Sequence, residues 1–170
     1  FNEFDYNTFD AKNKYEFKII VNYNGTKKEA RFFIKFNVKV LQLTLNSKEM
    51  FINDSEIEID VPPQIFEGRT YLPIRWVAEP LGATVLWDGI EKKATVQLKD
   101  VVIELWIGRN LARVNGNYKF IDPDNPKVVP LIIEDRTMLP IRFVAENLGC
   151  KVNWNPLTRT VAIIYFEEKD

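Results

Sequence analysis

The chain has 170 residues, and its 23 Lys and Arg against 24 Asp and Glu give a formal net charge of −1. Because it lacks a basic excess for phosphates, nucleic acid is a poor partner, and 46% hydrophobic residues argue against disorder. The absence of histidine removes the commonest general base near neutral pH and the commonest copper or zinc ligand.

Residues 1–39 predict a β-hairpin. The segment YEFKIIVNYNGTKKEARFFIKF has two strand-like runs that meet at Asn24-Gly25, a favourable turn dipeptide. Because an isolated hairpin is marginal in water, this segment either packs on the rest of the chain or ends an upstream β-sandwich. The chain begins without methionine, which suggests a processed protein or an excised fragment. No stretch of it approaches the roughly 18 apolar residues that cross a bilayer.

The rest of the chain contains a duplication. Segments 67–98 and 134–165 share 14 of their 32 positions without a gap, and a weaker match extends the repeat upstream. The second copy inserts five residues within PDNPK before the strong match resumes. We therefore assign repeat 1 to residues 40–100 and repeat 2 to residues 101–170. Two copies of so long a period favour a duplicated small domain over a solenoid.

Each repeat predicts three strands, one short helix and two further strands. Leu41, Leu43 and Leu45 alternate with less apolar neighbours, which is typical of a strand. Asn53-Asp54 and Asn115-Gly116 occupy matching positions and suit hairpin turns. We expect an α+β, β-rich fold in which each repeat is an antiparallel sheet packed around its own helix.

The helix of each repeat is predicted to begin at a proline and end at a glycine. Pro73 and Pro140 suit the first helical position, and Gly82 and Gly149 suit the left-handed position after the last turn. Pro80, in repeat 1 only, should loosen that turn. An apolar stripe should face the sheet and consists of Ile74, Val77, Ala78 and Leu81, repeated as Ile141, Val144, Ala145 and Leu148.

The string R-T-x-L-P-I-R-x-V-A-E-x-L-G, followed by V-x-W, resembles the copper amine oxidase N-terminal-like domain, also called a stalk domain. The resemblance covers about residues 40–170 in two copies. It implies a small sheet around one helix, often in tandem, in secreted and surface-layer proteins of Gram-positive bacteria. In full amine oxidases this module is accessory, and copper and quinone chemistry belongs to another domain. The resemblance therefore implies no catalytic residue, metal or cofactor here.

The charged and aromatic residues that recur in both repeats can be interpreted as structural or as ligand-binding. Arg75 and Glu79 can pair along a helix face, Arg69 can bond loop carbonyls, and Trp87 can cover the helix from its strand. The alternatives are an anion or carboxylate site and a sugar-stacking platform. Because any feature needed to build the repeat must appear twice, we favour a structural role for the shared set: Arg69, Pro73, Arg75, Glu79, Gly82 and Trp87, with Arg136, Pro140, Arg142, Glu146, Gly149 and Trp154.

Three aromatic residues occur in repeat 2 only. Trp106, Tyr118 and Phe120 replace a threonine and two glutamates of repeat 1, and by alternation Trp106 shares a face with Glu104. Such a face either packs against another part of the chain or binds a partner or glycan. In a third reading, a register slip buries Tyr118 and Phe120.

The remaining polar candidates are weaker. Asp60 ends a strand whose acidic side chains are expected to meet solvent. Asp122 and Asp124 could bind Ca²⁺ weakly, although no loop has EF-hand spacing. Cys150 takes the place of Ala83 and is expected to be a small buried residue.

Together these features predict a non-catalytic, extracellular structural or interaction module that serves spacing, assembly or adhesion at a bacterial cell surface or cell wall. Its expected partners are other domains of the same surface protein or cell-wall components, with no nucleic acid and no membrane span. The alternative function is binding of polysaccharide or cell-wall glycan through Trp106, Tyr118 and Phe120. An enzyme with bound copper is a third, less favoured reading.

Overall fold

The computed structural model describes residues 14–23, 26–35 and 37–167, so the turn predicted at Asn24-Gly25 lies outside it. The chain divides into two compact units. In one of them, strand β1 (Lys14–Tyr23) pairs antiparallel with β2 (Thr26–Lys35), from Lys14 opposite Lys35 to Tyr23 opposite Thr26. The other unit spans Lys39–Tyr165 and holds the repeats.

The remaining strands and helices follow in chain order. They are β3 (Asn37–Thr44), β4 (Glu49–Ile52), β5 (Ser55–Glu58), β6 (Gln64–Phe66), β7 (Arg69–Pro73), α1 (Arg75–Ala78), a 3₁₀ turn (Glu79–Leu81), β8 (Thr84–Asp88), β9 (Lys93–Leu98), β10 (Val101–Trp106), β11 (Leu111–Val114), β12 (Asn117–Phe120), β13 (Leu131–Ile133), β14 (Arg136–Pro140), α2 (Ile141–Asn147), β15 (Lys151–Asn155) and β16 (Thr160–Glu167).

Strands β3–β16 form three sheets, and every one combines strands of both repeats. Sheet A has the order β12-β11-β10-β9-β8, and sheet B has the order β15-β16-β3-β4-β5. The central sheet has the order β13-β14-β7-β6. The predicted α+β, β-rich class is confirmed, but a repeat in the sequence does not correspond to a separate sheet.

A short connection explains why the repeats share sheet A. Strands β9 and β10 are joined by only Lys99 and Asp100, and Leu98 lies opposite Val101. A two-residue loop turns the chain straight back into an antiparallel pair. The last strand of repeat 1 therefore pairs with the first strand of repeat 2, at the boundary that the sequence pattern had suggested between two domains.

The central sheet relates the repeats by an approximate two-fold axis. Leu72 of β7 lies opposite its own repeat equivalent, Leu139 of β14, and Tyr71 lies opposite Pro140 as Met138 lies opposite Pro73. Antiparallel pairing of equivalent residues is what a local two-fold axis requires. Leu72, Leu139, Tyr71 and Met138 are fully buried, so this seam lies in the core.

The helices differ from the prediction at their beginnings and agree with it at their ends. Pro73 and Pro140 close strands β7 and β14 instead of opening helices, because Pro140 keeps an extended backbone with ψ of 107°. Gly82 and Gly149 have φ of +84° and +85°, the predicted left-handed conformation. Only repeat 1 ends its helix as a 3₁₀ turn, and this turn contains Pro80. Both apolar stripes are buried as predicted.

Candidate functional site

Two ion pairs cross between the repeats. Arg69 of repeat 1 donates from Nε to Oδ2 of Asp122 in repeat 2 over 2.6 Å. Its equivalent, Arg136, donates in the same way to Asp60 of repeat 1. Asp60 and Asp122 are themselves equivalent positions, each two residues after the end of β5 or β12. The reciprocal pairs therefore join each repeat to the other.

The second carboxylate oxygen of each aspartate has a different partner in the two repeats. Oδ1 of Asp60 accepts the indole N–H of Trp76 at 2.8 Å, and repeat 2 has Phe143 in place of that tryptophan. Oδ1 of Asp122 accepts the backbone N–H groups of Asp124 and Asn125, each at 3.1 Å. The five-residue insertion thus supplies the donors that Phe143 lacks.

Both aspartates remain ionised to lower pH than usual. Burial alone would raise the pKa of Asp122, but the hydrogen bonds from Arg69 and from the two backbone amides outweigh it and lower the pKa. Burial opposes the same result at Asp60, where the bonds from Trp76 and Arg136 lower the pKa. Asp122 is thus held by Arg69, not poised for Ca²⁺, and Asp60 is an ion-pair partner instead of a solvated strand residue.

A pair of equivalent crevices flanks the helices. Crevice 1 has a volume of about 630 Å³ and crevice 2 of about 540 Å³. The lining of crevice 1 includes Arg75, Glu79, Trp87, Ile132, Arg136 and Thr137, and that of crevice 2 includes their equivalents Arg142, Glu146, Trp154, Ile65, Arg69 and Thr70. Each crevice therefore takes its walls from both repeats.

The repeated tryptophans line these crevices and do not belong to the core. Trp87 is 43% exposed and Trp154 is 37% exposed, so neither ring is buried in the core. Within the part of the chain that the structure describes, neither indole N–H has a hydrogen-bond acceptor. Trp87 lies opposite Ala94 near the end of edge strand β8, where the sheet does not extend far enough to enclose a large ring.

The predicted helix-face ion pairs form loosely in both repeats. Nε of Arg75 lies 3.9 Å from Oε1 of Glu79, and Arg142 and Glu146 repeat the same distance. All four side chains are more than half exposed. Such exposed pairs contribute little to stability, so they leave charged groups available at the crevice rims.

The three aromatic residues specific to repeat 2 share the outer face of sheet A. Trp106 follows Glu104 by two positions on β10, Glu104 lies opposite Arg113, and Arg113 lies opposite Tyr118. Tyr118 is 64% exposed and Phe120 is 58% exposed, so the register slip that would bury them does not occur. The structure thus brings the predicted aromatic candidates onto one face that is open at Tyr118 and Phe120.

Cations surround the half-buried indole of Trp106. Nζ of Lys93 and the guanidinium carbons of Arg109 and Arg113 lie 5.8, 6.0 and 5.9 Å from its ring centroid. Glu104 accepts from Arg113 and lies 3.4 Å from Lys93. The hydrogen bond from Arg113 lowers the pKa of Glu104 despite partial burial. Sequence reasoning missed these cations because only the strand register places them beside the ring.

Two further kinds of site, a metal-binding cluster and a reactive thiol, have little support among the described residues. These residues contain no group of three or more His, Cys, Asp or Glu side chains that could hold a metal ion. Cys150 is buried as expected, and this burial raises the pKa of its thiol to about 12. A thiol with so high a pKa is a poor nucleophile at neutral pH.

Comparison with known proteins identifies a family but no individual relative. The family model for the copper amine oxidase N-terminal domain matches residues 16–91 and, in an overlapping match, residues 51–164. The overlapping matches agree with two copies. No curated protein and no solved structure matches the chain. No helix in the described ranges is long and apolar enough to cross a membrane.

Proposed function

The chain belongs to the family of the copper amine oxidase N-terminal domain, and on that premise we propose that it is a non-catalytic interaction module that serves spacing, assembly or adhesion at a bacterial cell surface. The family's domain is a non-catalytic stalk of secreted or periplasmic proteins. This supports an extracellular role in which the chain contributes a surface, with other domains of its protein or cell-wall components as partners.

The outer face of sheet A carries the proposal. Clustered exposed aromatic residues mark interaction surfaces. Tyr118 and Phe120 lie on edge strand β12, on the same face as Trp106 and two strands away from it. The equivalent positions of sheet B hold Thr44, Glu56 and Glu58. Because the fold forms with polar residues there, nothing in the architecture demands aromatic residues on sheet A.

Cosedimentation with washed bacterial cell walls tests this function. We expect the chain to cosediment and a triple variant, Trp106→Ala, Tyr118→Ala and Phe120→Ala, to remain in solution. Phe51→Ala is the matched control, since Phe51 is an exposed aromatic residue on the outer face of sheet B, opposite Gln42. Equal retention of the triple variant and the wild type would count against the proposed surface.

Glycan binding by the same face is the second candidate, and the cations around Trp106 favour it. An indole platform flanked by Lys93, Arg109 and Arg113 suits a sugar chain with carboxylate groups, since the ring stacks and the cations pair. Titration with polygalacturonate should quench tryptophan fluorescence, and Trp106→Ala should abolish the change. If this face binds a protein partner instead, polygalacturonate should leave the fluorescence unaltered.

A further inference from the structure

We propose that the two crevices are a pair of equivalent binding sites for a neutral oligosaccharide, one sugar segment stacking on Trp87 and another on Trp154. This goes beyond the proposed function, because Trp87 lies on the face of sheet A opposite to that of Trp106. The inference depends on neither the outer face nor a cell-wall partner.

The exposed indoles are the first step of the argument. The core is complete without them, since the helix stripes are already buried against the sheets. Both repeats nevertheless place a partly exposed tryptophan at the same rim, and its N–H lacks an acceptor among the described residues. A flat apolar ring beside an available donor suits the face of a sugar ring and one of its hydroxyl groups.

The charged residues at the rims supply the remaining hydrogen bonds. The side chains of Arg75 and Glu79 approach to 3.9 Å and have no other hydrogen-bond partner within the described ranges, so guanidinium N–H groups and carboxylate oxygens can face a ligand. Arg142 and Glu146 repeat this arrangement in crevice 2. A sugar hydroxyl group both donates and accepts hydrogen bonds, so neighbouring donors and acceptors of this kind can bind it.

The charges that line the crevices argue against an anionic ligand and leave a neutral one. In crevice 1, Arg75 and Arg136 face Asp60, Glu79 and Asp135, and crevice 2 has two arginines and two acids, Arg69, Arg142, Asp122 and Glu146. Neither site has the cationic excess that an anionic chain requires. The outer face of sheet A, with its cations around Trp106, differs in this respect.

The walls opposite the tryptophans and the volumes of the crevices also suit a small ligand. Ile132 and Ile65 face into crevices 1 and 2 and are about half exposed, so each crevice has apolar surface on two sides. Volumes of 630 and 540 Å³ fall within the range of small-molecule sites. Two such sites on one rigid unit would bind a long polymer more tightly than either alone.

Calorimetric titration with cellohexaose, mannohexaose and chitohexaose tests the proposal. We expect at least one of them to bind with two sites per chain and to quench tryptophan fluorescence. Trp87→Ala and Trp154→Ala should each remove one site, and the double variant should lose binding at least tenfold. Trp106→Ala is the matched control and should keep both sites.

Melting curves establish that each variant folds, which we expect because both indoles are exposed. Glu79→Gln with Glu146→Gln provides a second test at exposed positions and should also weaken binding. Absence of binding by all three oligosaccharides at millimolar concentration, or equal binding by the double tryptophan variant, overturns the proposal. Either result leaves the cell-wall assay of the outer face unaffected.

Discussion

Nε of Arg69 lies 2.6 Å from Oδ2 of Asp122, although the two residues are 53 positions apart in the chain. Their equivalents, Arg136 and Asp60, make the same bond in the opposite direction. Since each ion pair takes one residue from each repeat, the two pairs link the repeats to each other. Their recurrence is explained by the approximate two-fold axis and requires no ligand.

Removal of one of these arginines should destabilise the chain. Asp122 is only 7% exposed, so Arg69→Ala leaves a buried carboxylate with only its two backbone donors. We expect a loss of about 1–3 kcal/mol in the free energy of unfolding, measured with denaturant. Arg75→Ala, the matched control in the same repeat, removes an exposed pair and should lose at most about 0.5 kcal/mol. Equal losses would contradict a structural role for the cross-repeat pair.

The same aspartates predict instability in acid. Their pKa values are lowered in the folded state, so the stabilisation they contribute is present above the unfolded value near 3.8 and is lost as pH falls through the folded pKa. The free energy of unfolding should therefore decline below about pH 4. Asp60→Asn with Asp122→Asn should be less stable at pH 7 and flatter across this range, whereas Asp100→Asn, in an exposed turn, should follow the wild type. Parallel pH curves for wild type and double variant would exclude this cause.

Local features of this fold could be predicted from the sequence, because local chemistry determines them. Leu41, Leu43 and Leu45 alternate and are buried, and Gly82 adopts the positive φ that ends a helix. Pro80 also has its expected effect on the last helical turn. In each case, residues within one turn or one strand carry the whole signal.

Features that depend on pairing between distant strands could not be predicted. The sequence gives Trp87 a strand position but does not show that β8 is an edge strand with an open crevice beside it. It likewise separates Asp122 from Arg69 and Lys93 from Trp106. The hairpin at Lys99-Asp100 places Lys93 opposite Trp106, and the repeat pattern had suggested a domain boundary at that hairpin.

Cys150 should be unreactive in the folded chain. Its thiol is buried and has a pKa of about 12, so almost no thiolate is present at pH 8. Modification by a disulfide reagent should be slow without denaturant and fast in guanidinium chloride, where the thiol is exposed. Cys150→Ala restores the residue that repeat 1 has at Ala83 and should fold normally. Rapid labelling of the native chain would show that this segment opens.

A charge on the buried helix stripe should unfold both repeats together. Val77 is fully buried, and Val77→Asp places an unpaired carboxylate there at a cost of roughly 3 kcal/mol or more. Val144→Asp should do the same from the other repeat. Arg75→Asp, a charge change at an exposed position of the same helix, should leave the chain folded. The measurement is thermal unfolding followed by circular dichroism, and a normal melting curve for Val77→Asp would contradict the burial of the stripe.

Neither repeat should fold alone, because each sheet needs strands from both. A fragment of residues 40–100 would leave β9 without β10, and β7 without β14. We expect fragments 40–100 and 101–167 to lack cooperative unfolding transitions separately, by circular dichroism, and to regain one when mixed. The intact unit should unfold in one transition, since the two-fold seam at Leu72 and Leu139 belongs to the shared core. An independent melting transition from either fragment would mean that the repeat is a domain in its own right and that strand pairing between the copies is not what stabilises the fold.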